Sequence, residues 1–181
     1  FLSDYFSTPD SWSVKKAGGK VLTSINTWLF SQSNQFHDAS RGLVSTFCGL
    51  VLKSTTAHIF HVGDSRIYLL RDNQLEQLTN DHRIQMPGEP EYLARAMGVD
   101  YRLDIDYKTI GVEKGDVFFM STDGVHDTLS YKIIQRHLTT KNDGLTVVCE
   151  NIVAQSLADG SLDNASCQLI RVDELPSQDA D

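Results

Sequence analysis

The stretch Phe60-His61-Val62-Gly63-Asp64-Ser65-Arg66-Ile67-Tyr68-Leu69-Leu70-Arg71-Asp72 decides the fold. One apolar run ends at Val62 in a glycine-bearing acidic turn. A second, Ile67 to Leu70, ends in the polar turn Arg71-Asp72-Asn73-Gln74. Short apolar runs punctuated by such turns read as antiparallel strands. The same pattern extends outward, with Phe47 to Leu52 and Ala57 to Val62 before the acidic turn and Leu75 to Leu78 after the polar one. Leu43 to Leu78 is therefore expected to be an antiparallel meander.

Further along, Leu103 to Tyr107, Val117 to Ser121 and Ala165 to Val172 read as strands, the second so apolar that a central position is expected. Amphipathic stripes are interleaved with them. Val21, Leu22, Ile25, Trp28 and Leu29 recur at helical spacing, as do Leu145, Val148, Cys149, Ile152, Val153 and Ser156 ahead of Asp159-Gly160. Ser130 is placed to cap a helix through Leu138, and Tyr92 to Met97 predicts a short helix ended by Gly98. Met86-Pro87-Gly88-Glu89-Pro90 continues neither kind of element and reads as a loop. This alternation gives an α+β class, with helices covering antiparallel sheets. One domain over residues 1–172 is expected, followed by an acidic tail or linker over 173–181.

Composition narrows the partners. A net charge of -8 offers little attraction to nucleic acid or anionic lipid, both of which are bound chiefly through Lys and Arg. No apolar run approaches the roughly 20 residues that cross a bilayer, so a soluble, cytoplasmic protein is expected. Cys48, Cys149 and Cys167 are odd in number and form no Cys-x-x-Cys pair, which points to small apolar packing residues.

Three aspartates stand at strand ends: Asp64 after Val62-Gly63, Asp123 after Phe119-Met120-Ser121-Thr122, and Asp163 before Asn164-Ala165-Ser166. A short carboxylate on a rigid strand end is well placed for chemistry, and several that converge need a hard cation such as Mg²⁺ or Mn²⁺ between them. A lone Asp-Gly turn, by contrast, ordinarily bonds only to its own backbone. The histidines form a rival set, but His58 and His61 are three apart in a strand and point to opposite faces, so they are not expected to share an ion. Arg66 suits phosphate as a bidentate fork; tying the turn to a neighbouring carboxylate is its plainer role.

In this order the motifs resemble the type 2C family of metal-dependent protein serine/threonine phosphatases, in the bacterial form with a short flap. The carriers are Val62-Gly63-Asp64-Ser65-Arg66, Gln77-Leu78-Thr79-Asn80-Asp81-His82, Leu93-Ala94-Arg95-Ala96-Met97-Gly98, Ser121-Thr122-Asp123-Gly124-Val125 and Asp163-Asn164-Ala165-Ser166. The resemblance implies a two-layer antiparallel sandwich flanked by helices. It makes Asp123 and Asp163 ligands of two core Mn²⁺ or Mg²⁺ ions and Asp64 a ligand of a third. Asn164 would orient Asp163, while Gly124, Thr122, Ser65 and Arg66 would support the turns. The implied reaction is hydrolysis of phosphoserine and phosphothreonine in proteins by metal-activated water, with a Ser/Thr kinase or its target as partner.

The family's acidic opening and its Asp-Gly-x-Gly-Gly turn do not occur in this sequence. An N-terminally truncated domain is therefore expected, weak or inactive without the missing segment. A non-catalytic phosphatase-like module that partners a kinase, and a two-metal hydrolase acting on other phosphoesters, are the alternatives the sequence leaves open.

Overall fold

The computed structural model describes residues 1–33, 42–86, 88, 91–140 and 144–176. In chain order the first elements are α1 (Leu2–Phe6), α2 (Val14–Ser33), β1 (Phe47–Lys53), β2 (Thr56–Val62), β3 (Arg66–Arg71) and β4 (Gln74–Gln77). β5 (Arg83–Gln85), β6 (Glu91–Leu93), β7 (Asp106–Gly111) and β8 (Val117–Ser121) follow, then α3 (Asp123–His126), α4 (Tyr131–Leu138), α5 (Leu145–Ala158) and β9 (Cys167–Arg171). Two compact units result, one of Phe1–Gly63 and His82–Ile110, the other of Asp64–Asp81 and Gly111–Asp181.

In the first unit β1 and β2 pair antiparallel, Phe47 opposite Val62 and Lys53 opposite Thr56, and β7 adjoins β2. Helix α2 covers this sheet, packing Val14 and Leu22 with Phe60, Val62 and Met97. The approach needs Gly18, because a Cβ there would run into the Phe60 ring. The buried stripe begins earlier than the sequence suggested, with Val14, Ala17, Gly18, Val21, Leu22 and Asn26, and it leaves Trp28 on the exposed side. Asn26 is fully buried and fully bonded: its amide donates to the carbonyls of Asp100 and Tyr101, and its Oδ1 accepts the Gly98 N–H.

The expected helix at Tyr92 to Met97 does not form. Glu91–Leu93 instead pairs with Arg83–Gln85 as a small antiparallel hairpin, and Met97 bridges to Ser45. Cross-strand hydrogen bonding outweighs local helix preference there. Of the expected loop at 86–90, residues 87, 89 and 90 lie outside the described residues.

The expected meander is likewise divided between sheets, since β3 pairs with β4 and β8 rather than with β2. The second unit is a four-stranded sheet of order β4-β3-β8-β9, antiparallel throughout, with apolar β8 central as its composition suggested. Its hairpin β3–β4 turns on Asp72 and Asn73, whose φ values of 51° and 61° match the tight turn favoured by strand twist. Helices α4 and α5 supply Ile134, Val148 and Ile152 to a core completed by Tyr68, Leu70, Leu75, Phe119, Val125 and Leu129. Each sheet thus carries helices on a face, which is the α+β class. The cysteines are free and half-buried rather than fully packed away, and burial pushes the Cys48 thiol up to about 11.

In the second unit a half-exposed guanidinium on β3 holds a buried carboxylate just before β8. Asp116, 1% exposed, accepts from Arg71 Nε at 2.8 Å, Arg71 Nη2 at 2.7 Å and the Glu113 N–H at 2.8 Å. Burial alone would raise its carboxyl; the bonds from Arg71 and Glu113 outweigh that and hold it below its ordinary value of 3.8. Asp116→Asn is expected to cost about 2 kcal/mol of stability at neutral pH. A carboxyl depressed by folding stabilises fully above its unfolded value, so the difference from wild type shrinks as pH falls below about 3.8. Urea midpoints of the two proteins across that range test both statements.

Candidate functional site

Strand pairing builds the site. The β8–β9 ladder ends with Ser121 opposite Cys167, so the residues after Ser121 and those before Cys167 leave the sheet side by side. Thr122 joins them: its N–H donates to the Ser166 carbonyl at 3.0 Å, its hydroxyl donates to the Asn164 carbonyl at 3.1 Å and accepts the Ser166 N–H at 3.0 Å. A Cβ on Gly124 would lie 2.6 Å from the Asn164 carbonyl oxygen, closer than real contacts allow, so only glycine lets the turns meet. Ser161 adds a hydroxyl bond of 2.7 Å to the Gly124 carbonyl.

Asp123, first residue of α3, and Asp163, in the loop before β9, consequently line one open cavity of about 470 Å³. Each steadies its carboxylate on the next backbone N–H, Asp123 on Gly124 at 2.9 Å and Asp163 on Asn164 at 2.7 Å. The bond from Asn164 to Asp163 thus comes from its main-chain N–H. Asp127 lines the same cavity and was not singled out from sequence, although its position four after Asp123 puts both on one helix face. Three carboxylates and, among the described lining residues, no Lys or Arg make a donor set of hard oxygens suited to Mg²⁺ or Mn²⁺.

Asp64 is not among the lining residues of that cavity. It follows Gly63 at the end of β2 and is half-buried, and Ser65 beside it is buried. Arg66 is engaged as the turn-tying residue: Nε donates to Asp81 Oδ1 at 2.9 Å and Nη2 to Asp81 Oδ2 at 2.6 Å. His126 lies buried, its Nδ1 within 2.9 Å of Ser121 Oγ.

Among the described residues one group of three side chains has ligand atoms all within 4.8 Å, close enough to hold a metal ion: His61, His82 and Asp106. The grouping escaped a sequence reading because the three come from β2, the segment after β4 and the start of β7. His58, paired through Nδ1 with Tyr107 Oη at 2.7 Å, is not part of it. The same atoms also form a hydrogen-bonded chain. The Gly63 N–H donates to His82 Nδ1 at 3.0 Å, His82 Nε2 lies 3.0 Å from Asp106 Oδ2, and Arg95 donates to Asp106 Oδ1 at 2.8 Å. Partial burial would raise the Asp106 carboxyl, yet His82 and Arg95 hold it below the usual carboxylate range.

Comparison with known proteins accords with the motifs and the fold. The family model described as protein phosphatase 2C matches residues 2–160, and the chain belongs to that family. Protein phosphatase PhpP of Streptococcus pneumoniae is 28% identical over 152 residues, covering 76% of this chain and 61% of the relative. A serine/threonine phosphatase, stp, of Listeria monocytogenes is 24% identical over 169 residues, covering 85% and 66%. The chain thus spans about three fifths to two thirds of the length of these curated relatives. Solved structures share the fold at lower identity. The serine/threonine phosphatase of S. agalactiae superposes with a TM-score of 0.83 at 21% identity, over 94% of this chain and 78% of that one. PppA of Pseudomonas aeruginosa gives 0.82 at 23%, over 94% and 76%.

The junction of the two turns is open to test. Gly124→Ala must push the Asn164 carbonyl away and is expected to cost about 1–3 kcal/mol; Thr122→Val, which keeps shape and loses the hydroxyl, is expected to cost about 1 kcal/mol. In both, backbone amides from Asn164 to Ser166 are expected to exchange faster than in wild type while those of β3 keep their protection.

Proposed function

We propose that the protein is a phosphatase of phosphoserine and phosphothreonine in proteins, dependent on Mn²⁺ or Mg²⁺. Asp123 and Asp163 hold the core ions in this reading, and Asp64 contributes to a further one. The observation that carries it is the meeting of Asp123 and Asp163 at one cavity through turns fixed by Thr122 and Gly124. Family membership supports the chemistry, as do relatives named as protein or serine/threonine phosphatases.

Divalent ions bound there would supply an activated water and positive charge opposite the phosphate oxygens. The chain's own part is positional. Backbone bonds at Gly124 and Asn164 fix one oxygen of each carboxylate, so the direction of the other is set before any ligand arrives. Because Arg66 is spent on Asp81, phosphate recognition does not rest on its guanidinium. The partner that fits this reading is a Ser/Thr kinase or one of its targets.

The test pairs binding with turnover. Asp123→Asn and Asp163→Asn are each expected to weaken Mn²⁺ binding, read by calorimetry, roughly tenfold or more, and to lower phosphopeptide hydrolysis by about 10²-fold. A chelator is expected to abolish hydrolysis in the wild type. Phosphopeptide turnover that survives chelation, or Mn²⁺ binding unchanged in both variants, would overturn the proposal. Phosphopeptide binding that is indifferent to Mn²⁺ and to Asp123→Asn, with no turnover, would favour a non-catalytic module, and preference for small phosphate esters a different hydrolase.

A further inference from the structure

Gly63 is the last residue before Asp64 and tolerates no substitute, since it sits at φ +110° and a Cβ there would collide with the Thr46 side chain. One residue grips both its polar groups. The His82 backbone N–H donates to the Gly63 carbonyl at 2.8 Å, and the Gly63 N–H donates to His82 Nδ1 at 3.0 Å. The His82 carbonyl is itself held by the Ala94 N–H at 2.6 Å, and the side chain is buried.

The direction of these bonds fixes the imidazole. Nδ1 accepts from Gly63 and so carries no proton; in the neutral ring the proton is then on Nε2, which donates it to Asp106 Oδ2 at 3.0 Å. Arg95 supplies the opposing charge to Asp106 Oδ1 at 2.8 Å. A cation on Nε2 would have to displace that proton and share its carboxylate with a guanidinium. The arrangement therefore serves to hold Gly63 better than it serves to ligate an ion.

We propose that His82 is a positioning residue, the middle of an Arg95–Asp106–His82–Gly63 relay that sets the Gly63-Asp64 peptide and thereby aims the Asp64 carboxylate at its cation. The link to a cation rests on the reading of Asp64 given above; the grip on Gly63 does not.

Two substitutions split the imidazole. His82→Asn keeps an acceptor where Nδ1 stood and loses the bond to Asp106, whereas His82→Gln places a donor where Nε2 stood and loses the acceptor for Gly63. Two quantities are read: exchange of the Gly63 amide by NMR, and the Mn²⁺ concentration that half-saturates phosphopeptide turnover. His82→Gln is expected to speed Gly63 exchange and raise half-saturating Mn²⁺, each about tenfold, with turnover at saturating Mn²⁺ near wild type. His82→Asn, which keeps the acceptor for Gly63 and loses only the support of Asp106 and Arg95, is expected to fall between, with each quantity changed about threefold. Equal impairment in the two variants, or an unchanged Gly63 amide in His82→Gln, overturns the relay. Loss of a bound Mn²⁺ in His82→Asn makes the histidine a ligand and overturns it as well. If Asp64→Asn leaves the Mn²⁺ dependence of the wild type unaltered, the assignment of Asp64 fails and takes the link to the cation with it. Gly63 exchange still reports separately whether the relay exists.

Discussion

Thr122 to Gly124 and Asp163 to Ser166 run close enough to share hydrogen bonds because Gly124 has no side chain to keep the Asn164 carbonyl away. That approach is the constraint on which the candidate centre depends. Strand pairing brings the two chain segments together only as far as Ser121 and Cys167; the next few residues must then stay together without a ladder. The Thr122 hydroxyl does this by donating once and accepting once, replacing the cross-strand bonds the sheet no longer supplies. Two carboxylates forty positions apart in sequence thereby come to line one cavity through backbone geometry.

Elsewhere charge is neutralised locally. Asp116 is met by Arg71, Asp81 by Arg66, and Asp106 by Arg95 and His82. Each of these carboxylates has a guanidinium within hydrogen-bonding distance and is thereby fixed to its surroundings. The cavity between Asp123 and Asp163 is arranged differently, since its described lining brings acids together with no Lys or Arg among them. In a chain with eight surplus negative charges this grouping separates an acidic site from merely acidic surface.

Much of the architecture was legible in the sequence because period and punctuation agree with burial. Val117 to Ser121 became the central strand that its unbroken apolar character required, and the stripe from Leu145 to Ser156 became α5. Asp72-Asn73 turned where a tight hairpin was expected. What misled was contact at a distance. Tyr92 to Met97 has helical residues but finds strand partners in Arg83–Gln85 and Ser45, and the division of the apparent meander depends on β8, which lies far along the chain. At the centre, motif order named Asp123 and Asp163, and both line one cavity. Asp127 and Asp106 were not singled out because carboxylates were selected at strand ends, whereas Asp106 falls inside an expected strand and Asp127 beyond the turn that follows one.

The acidic lining has a kinetic corollary. A phosphate monoester carries close to two negative charges near neutral pH, and a cavity presenting three carboxylates repels it. On the proposed reading, cations are thus a precondition for substrate entry as well as for chemistry, and the two ligands should arrive in a compulsory sequence, metal first and phosphoprotein second. Depleting divalent ions would then silence the protein at the encounter step, before any bond is strained.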